Sequence, residues 1–395
     1  MSSPLDTLLE SALAAHRAGS LTEAQAGYEA LLARRPDDAT ARYLLGLVCF
    51  HRGHLTSAVQ HITRSLQLAP ANVRAWKDLG GVLMAAERLE EARDAYASAL
   101  AADPTHAQSW YNLGICLYRS GDIEGGIGKL RQAISRDPGY LRAYEPLATL
   151  LYQHGDTEAA AEVYRQWVRR DPADPKARHM AAAATGEDVP ARASDEYIRT
   201  HFDGAAGSFD TNLEQLEYRA PQLVAAALAR WSAKGPLPAL LDAGCGTGLA
   251  GPLVRAHCRS LIGIDLSPGM LAQAGRRGCY DQLLEAELTS YLRSHPHAFD
   301  AVICVDTLVY FGELEEPLNA ARVSLTEAGL LIFTLEASSG AEHQLHIHGR
   351  YTHGEAYLQR ILPAAGLKAL SITRETLRQE RQAQVQGHLV IARRN

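Results

Sequence analysis

Two rhythms of apolar and polar positions divide the chain. Up to about residue 172 one pattern returns every 34 positions, with Pro36, Pro70, Pro104, Pro138 and Pro172 closing successive units (70 − 36). Inside the units large and small residues recur at fixed offsets: Trp76-x-x-Leu79-Gly80, Ala92, Tyr96 and Ala99 before Pro104, then Trp110-x-x-Leu113-Gly114 and Ala133 before Pro138. The period predicts five helix pairs, each too small to bury its apolar face alone, stacked one on the next. Beyond residue 237 the rhythm changes to short apolar runs that end at a breaker or an acid: Pro238 to Ala243, Leu261 to Asp265, Asp281 to Leu288, Phe299 to Asp306 and Leu330 to Leu335. Runs of this kind read as strands buried on both faces of a parallel sheet. Ala369 to Thr373 and His388 to Ala392 read as two more strands.

The first of these strands runs into Asp242-Ala243-Gly244-Cys245-Gly246-Thr247-Gly248. Its glycines allow a sharp turn and let the backbone approach a ligand with no Cβ in the way. Gly246-Thr247-Gly248-Leu249-Ala250-Gly251 also satisfies the dinucleotide pattern G-x-G-x-x-G. A dinucleotide site, however, puts its first glycine at the strand end, where pyrophosphate reaches a helix N-terminus. Here Asp242 comes first, which suits a cationic ligand group. Asp265 ends the second strand 17 positions after Gly248 (265 − 248), where the ribose hydroxyls of either cofactor would be held.

The order Asp242-x-Gly244-x-Gly246-x-Gly248 resembles motif I of class I S-adenosylmethionine (SAM) methyltransferases. The run from Phe299 to Asp306, continuing into Thr307 to Gly312, resembles the segment after their fourth strand, which lines cofactor and acceptor. The 34-residue units resemble tetratricopeptide repeats. With Tyr197-x-x-x-x-Phe202-Asp203-x-x-Ala206-x-x-Phe209-Asp210 and Leu216-x-Tyr218-Arg219-Ala220-Pro221, nearly the whole chain resembles bacterial methyltransferases that carry such repeats. The resemblance implies an N-terminal all-α repeat solenoid over 1–172, a capping helix and linker over 173–193, and an α/β Rossmann-like methyltransferase domain over 194–395. That domain would hold a mostly parallel seven-stranded sheet with an antiparallel last strand, and a lid over 194–235.

The implied cofactor is SAM, leaving as S-adenosyl-L-homocysteine. Gly244, Cys245, Gly246 and Gly248 would hold its methionine side with Asp242 at the ammonium, Asp265 and Leu266 its ribose, and Glu287 and Leu288 its adenine. Arg219 is a candidate for the methionine carboxylate, or else a surface salt bridge. Asp306, Tyr310 and His353 would face the acceptor as the catalytic set, with His353 taking a proton or capping the next helix. Tyr197, Phe202 and Phe209 would come from the lid, and Arg350 and Tyr351 from an Arg-Tyr-x-His segment. His343, His346, His348 and His353 invite a metal reading. No cysteine or paired carboxylate joins them and methyl transfer needs no metal, so none is expected.

In the repeats, Trp76 and Trp110 read as packing residues, while Tyr43, Phe50, Arg74, Lys77, Tyr111, Tyr118, Arg142 and Tyr152 would line the concave face. Such a groove suits an extended peptide with aromatic or acidic side chains, or packing and self-association as a homo-oligomer. The formal net charge of −6 argues against a general nucleic-acid partner. No apolar run approaches the roughly 20 residues that span a bilayer, and Met1 to Glu10 lacks a secretory pattern, so a cytoplasmic location without a membrane partner is expected. Six scattered cysteines suggest neither disulfides nor a zinc ribbon. Three functions fit: methyl transfer to a protein or peptide presented by the repeats, methyl transfer to a small metabolite with the repeats used for docking or oligomerisation, and a non-catalytic scaffold that binds the cofactor.

Overall fold

The computed structural model describes residues 4–231, 235–340, 342–380 and 383–395. Residues 232–234, inside the segment expected to form the lid, lie outside the described residues, as do residues 1–3 of the first repeat. Two compact units divide the chain at Arg170/Asp171. Among the described residues no helix is long and apolar enough to cross a membrane.

The first unit is a run of helix pairs: α1 (Pro4–Arg17) with α2 (Leu21–Arg34), α3 (Ala39–His51) with α4 (Leu55–Leu68), α5 (Val73–Ala85) with α6 (Leu89–Ala102), α7 (Ala107–Arg119) with α8 (Ile123–Arg136), and α9 (Tyr144–Gln153) with α10 (Thr157–Arg170). Asp38, Asn72 and Asp122 cap their helices by accepting the N–H of Ala41, Ala75 and Gly125. Four of the five repeating prolines have a polar side-chain partner on their carbonyl. Trp76 Nε1 donates to the Pro70 carbonyl at 2.8 Å, Trp110 Nε1 to Pro104 at 2.9 Å, Tyr144 Oη to Pro138 at 2.9 Å and Arg42 Nε to Pro36 at 2.7 Å. The tryptophans therefore do more than pack: each ties the turn between repeats to the helix that follows.

Close helix approach explains the repeated glycine. A Cβ on Gly80 would lie 2.5 Å from the ring of Tyr96, which is 3% exposed, whereas one on the neighbouring Gly81 would meet nothing nearer than 4.0 Å. Gly80→Ala is therefore expected to destabilise the repeats by about 1–2 kcal/mol, overpacking outweighing the gain in helix propensity. Gly81→Ala is expected to stabilise them by about 0.5–1 kcal/mol. Thermal melts of the two variants should move in opposite directions.

The second unit holds one mixed sheet. Its strands are β1 (Leu237–Ala243), β2 (Cys258–Asp265), β3 (Gln282–Glu285), β4 (Phe299–Cys304), β5 (Leu325–Ala337), β6 (His343–Leu345), β7 (Tyr351–His353), β8 (Leu367–Glu380) and β9 (Ala383–Arg394). The parallel order is β3-β2-β1-β4-β5, and β9 then runs antiparallel between β5 and β8. These are the seven expected strands. The histidine-rich segment adds two more, a short β6–β7 hairpin whose β7 pairs parallel with the end of β5 through Glu336 and Ala337.

Alternate residues of the strands face opposite layers. Leu241, Val302, Cys304, Leu331 and Phe333 pack against α17 (Leu288–Ser294), α18 (Glu315–Ser324) and α19 (Glu355–Ala364). Leu240, Leu261, Ala301, Ile303 and Ile332 face α14 (Ala220–Trp231) and the short α15 (Gly251–Val254). Both faces are covered, as a parallel sheet requires. Over the C-terminal strand ends lie α12 (Asp195–Ala205) and α13 (Phe209–Gln215), with α16 (Pro268–Arg276) after β2. Helix α11 (Pro175–Thr185), read from sequence as a cap on the repeats, lies in this second unit. Its His179 Nε2 is 2.9 Å from the Gly349 carbonyl in the β6–β7 turn, and its ring stacks on Tyr197 of α12 at 4.2 Å.

Candidate active site

The C-terminal ends of β1, β2 and β4 open into a cavity of about 380 Å³. Its floor is the glycine turn. Gly244, Gly246 and Gly248 have φ of +78°, +54° and +79°, in the region that favours glycine. The N–H groups of Gly244 and Cys245 both donate to the Ile264 carbonyl, at 2.8 and 2.9 Å, and pin the turn to β2. A Cβ on Gly244 would lie 2.3 Å from Thr307 Cγ2, yet one on Gly246 would meet nothing within 4 Å. The space before Gly246 is the cradle.

Two acids border it. Asp265 accepts the Gly246 N–H at 2.8 Å on one oxygen and the Ser267 N–H at 2.9 Å on the other, leaving lone pairs toward the cavity it lines. Asp242 is 1% exposed and accepts the Tyr280 hydroxyl at 2.7 Å. Burial pushes its carboxyl up to about 7, against the opposing Tyr280 bond and with help from Asp265. A buried carboxyl with no cation near it among the described residues fits a ligand that brings its own ammonium. Cys245, Leu266 and Leu288 also line the cavity. The Cys245 thiol is pushed well up by burial, so it stays neutral and unreactive.

Helices α12 and α13 roof the cavity and are latched to its floor. Asp210 accepts from Thr247 Oγ1 at 2.5 Å and from Arg277 at 2.5 Å, while Arg277 Nε donates to the Thr247 carbonyl at 2.6 Å. Asp203 accepts from Ser267 Oγ at 2.5 Å and from the Gly269 N–H at 3.0 Å. The underside is aromatic: Phe202 meets Phe209 at 5.9 Å and Tyr310 at 5.5 Å, both edge to face, and all three line the cavity.

Opposite the cradle lies a network of charges. Arg378 donates to Asp306 at 3.3 Å, to Glu380 at 2.8 Å and to Glu336. Arg350 donates to Glu336 at 2.5 Å and to Glu380 at 2.8 Å. Burial alone would raise Glu336, but the two guanidiniums outweigh it and hold its carboxyl below the usual range. Asp306 is different: burial keeps it raised against Arg378 and the Thr334 hydroxyl, which donates at 2.6 Å. It sits at φ +52°, a conformation rare outside glycine, and Tyr218 bonds to its side chain. An acid at a rare backbone conformation, its carboxyl raised by burial and set beside two tyrosines, is chemistry the fold does not need for packing.

Several expected site residues lie elsewhere. His353 is fully buried, with Nε2 3.1 Å from the Gly312 carbonyl, so it supports the hairpin and does not reach the cavity. Tyr351 is also fully buried and donates to the Pro190 carbonyl at 2.5 Å. Tyr197 is 3% exposed and turned to His179. Arg219 is exposed at the start of α14, its N–H donating to the Leu377 carbonyl, and the preceding Tyr218 takes the wall position. Glu287 lines the cavity, but its oxygens accept the N–H groups of Thr289 and Ser290 and cap α17, outweighing burial to leave it lowered.

In the repeats, Tyr43 is 7% exposed and donates to Asp78 at 2.5 Å, which removes it from any groove surface. Tyr118 and Tyr152 are exposed, as are Arg74 and Arg142, and the Arg142 guanidinium lies 5.8 Å over the half-buried Tyr111. His346 lies 2.8 Å from Thr352 and stacks on His348 at 5.4 Å, and His348 lies 3.6 Å from Glu336.

His353 carries a pH prediction. Burial, against its backbone bond to Gly312, lowers its pKa to about 4. The folded value lies below the unfolded value of about 6.5, so the unfolded chain takes the proton first as pH falls. The stability present above pH 6.5 should drain away toward pH 4, by roughly 3 kcal/mol in all. Urea unfolding of wild type and His353→Gln between pH 7 and 4.5 should show the flatter pH dependence in the variant.

Comparison with known proteins agrees with this geometry. Residues 241–333 match a family model described as a methyltransferase domain, and residues 9–73, 53–107, 77–140 and 111–175 match a tetratricopeptide repeat model. The chain thus combines a methyltransferase domain with tetratricopeptide repeats. Human methyltransferase-like protein 27 is 36% identical over 163 residues, covering 40% of this chain and 63% of that protein. A ubiquinone biosynthesis O-methyltransferase from Azoarcus sp. (strain BH72) is 31% identical over 154 residues, covering 34% of this chain and 66% of its own. The chain spans just under two thirds of the length of these two relatives. Among solved structures, a crystal structure of MamA protein aligns at 20% identity and TM-score 0.41, covering 45% of this chain and 96% of that one.

Proposed function

We propose that this chain is a SAM-dependent methyltransferase whose acceptor is a protein or peptide recruited by the repeats. The observation that carries the enzymatic reading is one cavity holding both the Asp242–Gly246–Asp265 cradle and the Asp306–Arg378 end. SAM, when bound, supplies an electrophilic methyl group. The chain's own residues bind and align: Asp242 faces the ammonium, Asp265 the ribose, Gly246 leaves room for the ligand, and the latched roof excludes water. Asp306 is the group placed to hold the acceptor's proton, with Tyr218 and Tyr310 beside it. Glu287 could accept a further bond from adenine only through lone pairs not used in capping.

The protein-acceptor reading is supported by the repeat array and its exposed Tyr118, Tyr152, Arg74 and Arg142. A second reading, a small-molecule acceptor, is favoured by the roof, which five polar side chains, Asp203, Asp210, Thr247, Ser267 and Arg277, fasten over a cavity that must also hold the cofactor. Incubation with methyl-labelled SAM and a lysate split by size separates them. Label in the macromolecular fraction supports the first reading; label confined to small molecules overturns it in favour of the second.

A further inference from the structure

Asp242 ends β1 beneath the glycine turn, and the groups that face it are a second acid, Asp265, and the thiols of Cys245, Cys279 and Cys304. None of these is a cation. Left alone, a carboxyl in such surroundings holds its proton, and a protonated acid is a poor partner for an ammonium. The one group that counters this is Tyr280, in the loop between α16 and β3, whose hydroxyl donates to Asp242 Oδ2 at 2.7 Å. Its ring does a second job: a Cβ added at Gly248, Gly251 or Gly263 would meet it at 2.9, 2.7 and 2.9 Å, so it underpins the turn from outside the cavity. Tyr280 is not among the residues that line the cavity.

We propose that Tyr280 is a positioning residue that favours the charged form of Asp242 and aims it into the cradle, so that cofactor affinity near neutral pH depends on a hydroxyl outside the cavity. The proposal rests on the SAM reading of the cradle. Tyr280 stays a neutral donor throughout the physiological range, because burial first and the Asp242 charge second push its own hydroxyl up. A phenol that donates to the charged form of an acid stabilises that form alone.

Tyr280→Phe keeps the ring under the turn and removes only the donor. In titration calorimetry of the full chain with SAM, the variant should bind about tenfold more weakly at pH 6–7, as expected for loss of a hydrogen bond to a charged group. The ratio of variant to wild-type Kd should close toward one as pH rises above neutral and Asp242 ionises with or without the hydroxyl; taking the ratio cancels the titration of the cofactor's own amine. A ratio that stays near one, or a deficit constant across pH, overturns the proposal, since a purely structural role would not track Asp242. Asp242→Asn gives an independent arm: adding Tyr280→Phe to it should cost no further affinity, and an additive loss overturns the proposal as well. Failure of the wild-type chain to bind SAM would remove the cofactor reading itself, whereas a wild type that binds with an unchanged variant removes only the role of Tyr280.

Discussion

Arg378→Met is expected to destabilise the Asp171–Asn395 unit by about 3–5 kcal/mol, seen as a large drop in its urea unfolding midpoint. The Arg378 side chain is 5% exposed and serves Asp306, Glu336 and Glu380 together. Without it, the enclosed Glu336 and the half-buried Glu380 are left with the Arg350 guanidinium and Asp306 with the Thr334 hydroxyl, and the penalty comes from the groups left behind more than from the bonds lost. Arg378→Lys should recover little, because one ammonium cannot span three carboxylates as the guanidinium fork does. Glu336→Gln placed on Arg378→Met should recover stability, as it removes the most enclosed of the stranded charges. Additive losses in that double variant would contradict the network as drawn.

Gly244→Ala is expected to cost on the order of 2–4 kcal/mol and to abolish cofactor binding. Two effects combine. Alanine is strained at φ +78°, and its Cβ would have to displace Thr307, whose hydroxyl donates to the Ala243 carbonyl at 3.0 Å and so ties the segment after β4 to β1. Gly246→Ala provides the contrast. Its φ of +54° is one that alanine tolerates better, and the Cβ would enter open space. The variant should keep most of its stability yet bind SAM poorly, because that open space is where the ligand lies. Equal behaviour of the two variants would mean that the turn is structural only.

The parts of the fold legible in the sequence are those written in local patterns. A 34-residue period, strands that end in acids and three spaced glycines each depend on neighbours along the chain, so the repeats, the strands and the glycine turn could be read directly. The site's far end was legible only in part: Asp306, Tyr310 and Arg350 stand in local segments and do line it, but the group that ties the acids together is remote in sequence. Arg378 lies 72 positions from Asp306 (378 − 306), on a strand whose charged residues look like a solvated face until β9 folds against it. Tyr280 belongs to no motif, and its partner is 38 residues away. Errors of one position were equally costly: Tyr218 faces the cavity while Arg219 points out, and Arg350 joins the network while Tyr351 and His353 turn into the hairpin's core. In a strand or an extended entry to a helix, adjacent side chains face opposite ways. A conserved-looking string such as Arg-Tyr-x-His therefore fixes which residues are near a site without fixing which ones face it. Glu287 adds a different lesson, since an acid just before a helix finds its first partners in that helix's own N–H groups.

The central claim is that the glycine turn and its two acids take a sulfonium nucleoside. Isothermal titration of the full chain with SAM, S-adenosyl-L-homocysteine and NAD(H) tests it most directly. Saturable one-site uptake of SAM and its demethylated product, with no heat from NAD(H), is the predicted result; binding of NAD(H) with neither SAM nor S-adenosyl-L-homocysteine taken up would contradict it.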